Sequence, residues 1–305
     1  MRVPLPSGRP QLDQFQPDQL QHRVTQCHIL DTGYCLAHES TMIQGGARKQ
    51  VACHALVALL HHPRQGWMLW DTGYAPHMLT ATAYYPYRFY RWATPLRLDP
   101  TLAVAAQLPR FGLQPEDIGT ILISHFHADH IAGLRDFPAA RFIATAAAYA
   151  DIRTRRGFAA LRRGHIPALL PDDFAERCTL LPPFTGPTIS ALGPSHDLFG
   201  DGAMRLVHLP GHARGQMGLL AHTARGDYFF LADGAWLTRS ITENRPPSRL
   251  TDLIVDDPLA VRTTVANLHI FVQSAPYWRL VPTHCPLAFA REVQGKSVGT
   301  VEEQA

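Results

Sequence analysis

The segment 124–130, with the sequence SHFHADH, places three histidines and one aspartate within six consecutive residues. Imidazole nitrogens and carboxylate oxygens are the ligands that zinc and similar divalent ions take in proteins. His125 and His127 point to the same side of an extended backbone, because side chains alternate along a strand. If the chain then turns into a helix, Asp129 and His130 reach a second position nearby. The segment therefore predicts a site for two metal ions, and the alternative is a histidine-rich loop that binds none.

The elements that must hold this segment begin with an apolar run at 120–124, which predicts a buried strand directly before His125. Further strands, most of them followed by turn residues, are predicted at 26–35, 51–61, 67–71, 141–144, 188–192, 204–209, 217–222, 228–232 and 279–282. Helices are predicted at 100–111, 146–164, 171–178 and 258–274. Asp99 and Asp257, each followed by proline, are the expected N-caps of the first and the last helix. This order favours two packed sheets with helices outside.

The pattern H-x-H-x-D-H after a strand resembles the signature of the metallo-β-lactamase superfamily, and further motifs of that family occur in the expected order. An Asp-Thr-Gly turn stands at 71–73, and the sequences LPGH, FLADG and VPTH stand at 209–212, 230–234 and 281–284. The resemblance covers roughly residues 26–286. It implies an α/β fold, a four-layer αββα sandwich of two mixed sheets with helices outside, in one hydrolase domain over 23–294.

The resemblance also implies a role for each matching residue. The first metal ion would be bound by His125, His127 and His212, the second by Asp129, His130 and His284, and both by Asp233. Asp71 would orient a ligand through a hydrogen bond instead of binding metal, and a plain turn aspartate is an equal alternative. Zinc is the expected metal, and manganese, iron or cobalt would accept the same ligands.

Two divalent ions in one site predict hydrolysis. A metal ion lowers the pKa of a bound water from 15.7 towards about 7, so that a hydroxide bridging both ions can attack a carbonyl carbon at neutral pH. Asp129 is the candidate that hands a proton to the leaving alkoxide. Asp233 holds the two ions together, and these two aspartates are the candidate catalytic residues.

Within the superfamily the chain is most similar to the N-acyl-homoserine lactonase group, through HILDTG at 28–33, the turn at 71–73 and SHFHADHIAGL at 124–134. This likeness implies a quorum-quenching lactonase that opens a lactone ring carrying an acyl tail. One position differs from the pattern of that group. These lactonases have a tyrosine three residues after the bridging aspartate, where this chain has Trp236. An indole donates one hydrogen bond but cannot act as a phenol. Other lactones, aryl esters, thioesters and organophosphate triesters therefore stay open as substrates.

Aromatic residues are the candidates for the substrate pocket. The stretch YYPYRFYRW at 84–92 would form an apolar wall for an acyl tail, a dimer contact or a plain buried cluster. The expected pocket residues are Trp236, Phe126, Phe89 and Trp92.

Composition excludes several kinds of partner. The 305 residues carry a net charge of +3, and the 28 lysines and arginines are scattered, so no nucleic-acid partner is expected. No apolar run approaches the length of a membrane span. The five cysteines include no C-x-x-C pair, which fits a reducing, cytoplasmic compartment. The expected partner is a small lactone or ester, and a homodimer stays open.

The two ends of the chain differ in composition from the body. Residues 1–22 are rich in Pro, Gln and Asp and predict a flexible or interface-docked arm, and 295–305 predict a C-terminal tail. A binding or regulatory protein of the same fold, with little turnover, is the alternative from another functional class. The complete set of seven ligand candidates argues against it.

Overall fold

The computed structural model describes residues 23–296. The predicted arm at 1–22 and all but the first two residues of the predicted tail at 295–305 lie outside the described residues. Among the described residues, no helix combines the length and the apolar character that a membrane span requires.

Seven strands form the first sheet: β1 (Gln26–His38), β2 (Gln50–His62), β3 (Gly66–Trp70), β4 (Leu96–Arg97), β5 (Ile118–Leu122), β6 (Arg141–Thr145) and β7 (Cys178–Leu181). Their order across the sheet is β4-β1-β2-β3-β5-β6-β7. Pairing is antiparallel from β4 to β3 and parallel from β3 to β7. The first sheet is therefore mixed.

Six strands form the second sheet: β8 (Thr188–Ile189), β9 (Gly193–Asp197), β10 (Met204–His208), β11 (Met217–Thr223), β12 (Gly226–Ala232) and β13 (Arg279–Pro282). Their order is β13-β12-β11-β10-β9-β8, and only the β12–β13 pair is parallel. Strands β10, β12 and β13 run in the same direction, so their carboxyl ends meet at one edge of the sheet.

Most helices of the described chain are short: α1 (Glu39–Met42), α2 (His77–Ala81), α3 (Arg88–Ala93), α4 (Val104–Gln107), α5 (Ala128–Ile131), α6 (Ala146–Ile152), α7 (Gly157–Leu161), α8 (Phe174–Arg177), α9 (Thr238–Thr242), α10 (Pro258–Ser274) and α11 (Pro286–Glu292). The predicted cap of α10 is confirmed, because Asp257 Oδ1 accepts hydrogen bonds from the amides of Leu259 and Ala260. Such a cap contributes about 1 kcal/mol.

The apolar core has three layers, because neighbouring side chains of a strand point to opposite faces of its sheet. In β12, Tyr228 and Phe230 join the cluster between the two sheets, and Phe229 and Leu231 join the cluster under α10. A third cluster fills the outer face of the first sheet, under its helices. The predicted four-layer αββα arrangement is confirmed.

Several predicted boundaries were wrong. The helix expected at 100–111 is three short pieces, Pro100–Leu102, α4 and Leu108–Phe111. Ala103 takes an extended backbone between the first two pieces, and Pro109 has no amide to donate. The helix expected at 146–164 is interrupted before Gly157, where φ is +58°. The strand expected at 188–192 ends at Ile189, and strands β4, β7 and β9 were not predicted.

Candidate metal centre

The segment around His125 follows strand β5 and has the expected change of backbone direction. His127 is extended, with φ −70° and ψ 149°, and α5 begins at the next residue. Asp129 and His130 therefore lie on the first turn of α5, whereas His125 and His127 lie on the extended segment before it. A hydrogen bond of 2.9 Å from the amide of Ala128 to the carbonyl of Gly164 holds this part of the chain in place.

The second sheet supplies the other three candidates from one edge. His212 lies in the loop after β10, Asp233 follows β12 directly, and His284 follows β13 by two residues. Because these three strands run in the same direction, their following residues meet beside the loop after β5. A backbone hydrogen bond from Met217 to Ser124, 3.1 Å long, ties the two sheets together at this point.

The structure brings the seven predicted ligand residues together in two groups whose potential ligand atoms lie within 4.8 Å of one another. The groups are His125, His127, His212 and Asp233, and Asp129, His130 and His284. The two groups are adjacent, since His130 Nε2 lies 3.2 Å from Asp233 Oδ1 and His284 Nε2 lies 3.1 Å from Asp233 Oδ2. The division matches the one that the sequence motifs implied.

Hydrogen bonds on the outer side of two imidazoles aim their other nitrogens inward. His130 Nδ1 lies 2.8 Å from Asp71 Oδ2, and His284 Nδ1 lies 2.6 Å from the carbonyl oxygen of His54. In both cases Nδ1–H is the donor, which leaves Nε2 as the atom that would bind a metal ion. Asp71 is itself held by the amide and hydroxyl of Ser124, at 2.8 and 2.7 Å. Asp71 thus lies where the prediction of an orienting aspartate requires it.

Buried polar atoms in this cluster lack hydrogen-bond partners, which is costly unless another group satisfies them. They are His125 Nε2, His130 Nε2, His212 Nδ1 and Asp233 Oδ1. Two of these atoms, His130 Nε2 and Asp233 Oδ1, lie 3.2 Å apart at the junction of the two ligand groups. Such a donor set of nitrogen and oxygen atoms fits divalent cations of the zinc type.

Burial lowers the pKa of His125 and His127 well below the ordinary histidine value, and nearby imidazoles lower it further. The neutral imidazole that results is the form that binds metal. For His284 burial acts in the same direction, but the carboxylates of Asp233 and Asp129 outweigh it and raise the pKa to about 9. The carboxylates therefore draw positive charge into the cluster.

Two non-glycine residues with left-handed backbone stand next to the cluster. Asp71 has φ +58°, and Ala232, directly before Asp233, has φ +46°. Such conformations cost free energy and persist where the surrounding structure imposes them. Both residues turn the chain sharply at a strand end, and each turn directs an aspartate carboxylate towards the histidines.

A cavity of about 650 Å³ opens onto the metal cluster. Of the expected pocket residues, Phe89 and Trp236 line it, and the Trp236 indole donates to Asp233 Oδ2 at 3.1 Å. Three exposed aliphatic residues, Leu250, Leu253 and Ile254, also line the cavity.

Phe126 and Trp92, the other two expected pocket residues, do not line this cavity. Phe126 is 3% exposed and packs in the core against Phe174. It lies between two histidines of an extended segment, so its side chain points to the opposite side. Trp92 is 63% exposed and packs edge-on against Phe89. The stretch 84–92 is not a plain buried cluster either, because Tyr84 and Tyr85 are largely exposed.

Tyr90 is a site residue that the sequence interpretation missed. It lies on α3, lines the cavity, and its hydroxyl donates to Asp129 Oδ1 at 3.3 Å. Burial, followed by the charge of Asp129, raises the pKa of Tyr90 well above its ordinary value, so the phenol stays protonated. The aromatic stretch itself was the available sequence pattern, but nothing in it distinguishes Tyr90 from its neighbours without the helix.

Comparison with known proteins agrees with this geometry. The model of the metallo-beta-lactamase superfamily matches residues 51–239. Gamma-lactamase FDB1 of Fusarium pseudograminearum is 24% identical over 190 residues, which make up 61% of this chain and 44% of that protein. N-acyl homoserine lactonase AttM of Azorhizobium caulinodans is 26% identical over 156 residues, 49% of this chain and 53% of that protein. The chain thus spans about half the length of these two relatives.

The fold is also found in a solved structure. A mutant of AiiA from B. thuringiensis, with N-decanoyl-L-homoserine bound at its active site, superposes with a TM-score of 0.67 at 15% identity. The match covers 90% of this chain and 97% of that chain. At this identity the likeness concerns the fold. Because the family model matches more than half of the sequence, the chain belongs to the metallo-β-lactamase superfamily.

Proposed function

We propose that this protein is a hydrolase with two metal ions, zinc by preference, that opens the ring of a lactone carrying an apolar tail. The observation that carries the proposal is the pair of adjacent ligand groups, with buried unpartnered nitrogen and oxygen atoms, at the inner end of an open cavity. A cluster of this kind has little reason to be buried unless cations satisfy it.

The seven clustered side chains would hold the two ions as the sequence motifs implied. The ions, when bound, supply a nucleophile from water at neutral pH and polarise the carbonyl oxygen under attack. Asp233, whose two carboxylate oxygens face His130, His212 and His284, is the residue suited to bind both ions. Asp71 would keep His130 in the required tautomer.

Asp129 and Tyr90 are the residues that we propose to act on the substrate. Asp129 Oδ2 lies 3.4 Å from His284 Nε2, and Asp129 Oδ1 accepts from the Tyr90 hydroxyl. These contacts support the proposal, expected from the sequence, that Asp129 carries a proton to the leaving alkoxide. The protonated Tyr90 phenol can donate to a substrate oxygen, a role that Trp236 is less suited to because its single N–H already faces Asp233.

The opening of the cavity favours a substrate with an apolar substituent. Phe89 lines the cavity together with Leu250, Leu253 and Ile254, which are 73%, 81% and 62% exposed. An acyl chain packed against these side chains would remove apolar area from water, at roughly 25 cal/mol per Å². The binding constant is therefore expected to improve with chain length.

The test begins with metal analysis of the purified protein, followed by a screen of substrates with the metal-loaded enzyme. We expect about two ions per chain, as the two ligand groups require, and lactone opening whose kcat/KM rises with acyl length. Leu253→Ser should weaken this dependence on chain length. Leu259→Ser is the matched control, because Leu259 is equally exposed (74%) but lies on α10, away from this cavity.

One second candidate has a specific observation in its favour, since the relative FDB1 is named a gamma-lactamase. A five-membered lactam differs from a lactone in its leaving atom, nitrogen instead of oxygen, and needs stronger protonation of that atom. The screen therefore includes both rings, together with aryl esters, thioesters and organophosphate triesters. Lactam opening without lactone opening would favour the second candidate. Bound metal without any turnover would favour a binding or regulatory protein.

The remaining expectations concern location and assembly. The five cysteines are all free, which supports a reducing compartment such as the cytoplasm. A homodimer would use the exposed aromatic residues Tyr84, Tyr85 and Trp92, and sedimentation of the purified protein tests it.

A further inference from the structure

Two thiols face each other in the wall of the cavity, apart from the metal cluster. Cys35 on β1 and Cys53 on β2 are direct partners in the antiparallel register. Both side chains line the cavity, and they are 8% and 5% exposed. Neither residue takes part in the ligand groups. The proposed hydrolysis therefore leaves this pair of thiols without a role.

The backbone places the two thiols at a distance that a disulfide can span. Directly opposed residues of an antiparallel pair have Cα atoms about 4.5 or 5.5 Å apart, and disulfides join Cα atoms about 4.4 to 6.8 Å apart. Directly opposed residues also project their side chains to the same face of the sheet, so both sulfur atoms lie on one side of it. Formation of a bond between them would need rotation of the side chains and little movement of the strands.

The surroundings of the two sulfur atoms differ, which gives each a separate part in oxidation. The neighbouring Cys53 side chain lowers the pKa of Cys35 and outweighs burial, and Tyr74 lowers it further. Cys35 is therefore the thiol that ionises first and attacks. The neighbouring Cys35 side chain, followed by burial, raises the pKa of Cys53. Cys53 Sγ also lies 3.3 Å from Met42 Sδ, inside the same wall.

The other three cysteines lack these features. Burial raises the pKa of both Cys27 and Cys178 to about 12, and neither stands opposite a second thiol in its strand pair. Cys285 is fully buried, and its sulfur accepts from the amide of Thr238 at 3.3 Å. An oxidant that enters the cavity thus meets one pair of thiols suited to reaction.

We propose that Cys35 and Cys53 are a peroxide-sensitive dithiol site that forms a disulfide across β1 and β2. The Cys35 thiolate attacks one oxygen of hydrogen peroxide, the O–O bond breaks, and Cys35 becomes a sulfenic acid. The other oxygen leaves as hydroxide, which takes up the proton that Cys35 released on ionising and becomes water. Cys53 sulfur then attacks the Cys35 sulfur, the S–O bond breaks, and the hydroxide leaves with the Cys53 proton as a second water. Two thiols are oxidised and one peroxide is reduced to two waters.

The test uses the full-length, metal-loaded protein treated with hydrogen peroxide, alkylated, and digested without reductant. We expect the number of free thiols to fall from five to three, and mass spectrometry to find one cross-linked peptide that joins the segments around Cys35 and Cys53. A reductant should restore all five thiols. These readouts do not use hydrolytic activity, so they stand or fall separately from the proposed function.

Variants distinguish the role of Cys35, which attacks peroxide, from the role of Cys53, which completes the disulfide. With Cys53→Ser the reaction should stop at a sulfenic acid on Cys35, trapped by a dimedone reagent, and with Cys35→Ser neither cross-link nor trapped product should form. Cys178→Ser is the control and should still form the cross-link. Five free thiols after peroxide treatment of the wild-type protein, or a cross-link through another cysteine, would overturn the proposal. Oxidation of Cys35 to sulfinic acid without a cross-link would overturn the part assigned to Cys53.

Discussion

At the scale of single residues, the cluster depends on atoms held by a second set of side chains. The Nδ1 atoms of His130 and His284 are fixed by Asp71 and by the carbonyl of His54, and Asp129 is contacted by Tyr90. These contacts decide which atoms face the cavity. A residue one contact away from the cluster can therefore change its chemistry without removing a ligand.

Tyr90→Phe removes the hydroxyl that contacts Asp129 and keeps the ring. We expect kcat for the lactone to fall by roughly a hundredfold to a thousandfold, since one positioned hydrogen-bond donor to the substrate oxygen contributes on that order, while the metal content stays the same. Steady-state kinetics and metal analysis measure the two quantities. Tyr85→Phe is the control, because the Tyr85 side chain is 69% exposed and does not line the cavity. Equal kinetics for both variants would exclude a role for the Tyr90 phenol.

The stability of the fold is expected to depend on pH through His165. Burial lowers its pKa to about 4, although a hydrogen bond to the carbonyl of Phe126 opposes the shift. Between pH 6.5 and 4 the unfolded chain binds a proton at His165 that the folded chain does not, so the free energy of unfolding falls as the pH falls. The loss from this one group is up to roughly 3 kcal/mol, and it is absent above pH 6.5.

His165→Gln should flatten this part of the pH dependence. Denaturant unfolding of both proteins at several pH values between 4 and 7 measures the slope. The difference between the two slopes is the relevant quantity, because the clustered histidines titrate in both proteins. Parallel curves would show that His165 titrates alike in the folded and unfolded chains.

At the scale of elements, short connections bring the ends of strands and helices against the cluster. Gly164, three residues after the end of α7, has φ +60°, and a Cβ atom there would lie 2.7 Å from His127 Cδ2. Only glycine allows both the backbone conformation and the close approach. The loop after α7 thus fixes the position of a proposed ligand that belongs to another element.

Gly164→Ala should weaken metal binding by roughly tenfold to a hundredfold, the range found when a ligand loses its support. Gly157→Ala is a matched control, since Gly157 has φ +58° and open space around its Cα. Both variants carry the cost of a left-handed alanine, about 1 kcal/mol, but only the first displaces the imidazole. Competition with a chelating dye measures the affinities, and equal values for the two variants would contradict this explanation.

At the scale of the whole molecule, the cluster joins the two sheets. The loop after β5 supplies four of the candidate ligands and the second sheet supplies His212, Asp233 and His284. Ions bound by both sets can be held only by the folded chain. Their binding free energy is therefore added to the free energy of unfolding.

Removal of metal by a chelator should lower the free energy of unfolding by about 4 kcal/mol when free metal had been at a thousandfold its dissociation constant. Thermal unfolding before and after chelation measures the change. His284→Ala removes one proposed ligand and should reduce the chelator effect. A melting temperature that does not change, although the metal has been removed, would show that the ions do not hold the sheets together.

The sequence alone indicated the candidate metal site of this protein and most of its strands. The types and spacing of His125, His127, Asp129 and His130 predicted metal binding, because short-range geometry decides where neighbouring side chains point. Alternating apolar residues and the Asp257 cap predicted strands and the long helix α10, because these are local properties of the chain.

Only the tertiary structure decided which distant residues meet. It turned Phe126 into the core, brought Tyr90 to Asp129, and set Cys35 opposite Cys53. None of these contacts follows from local sequence, because each depends on strand register or on the packing of a short helix. Those depend on the burial of the whole core, to which residues from many parts of the chain contribute.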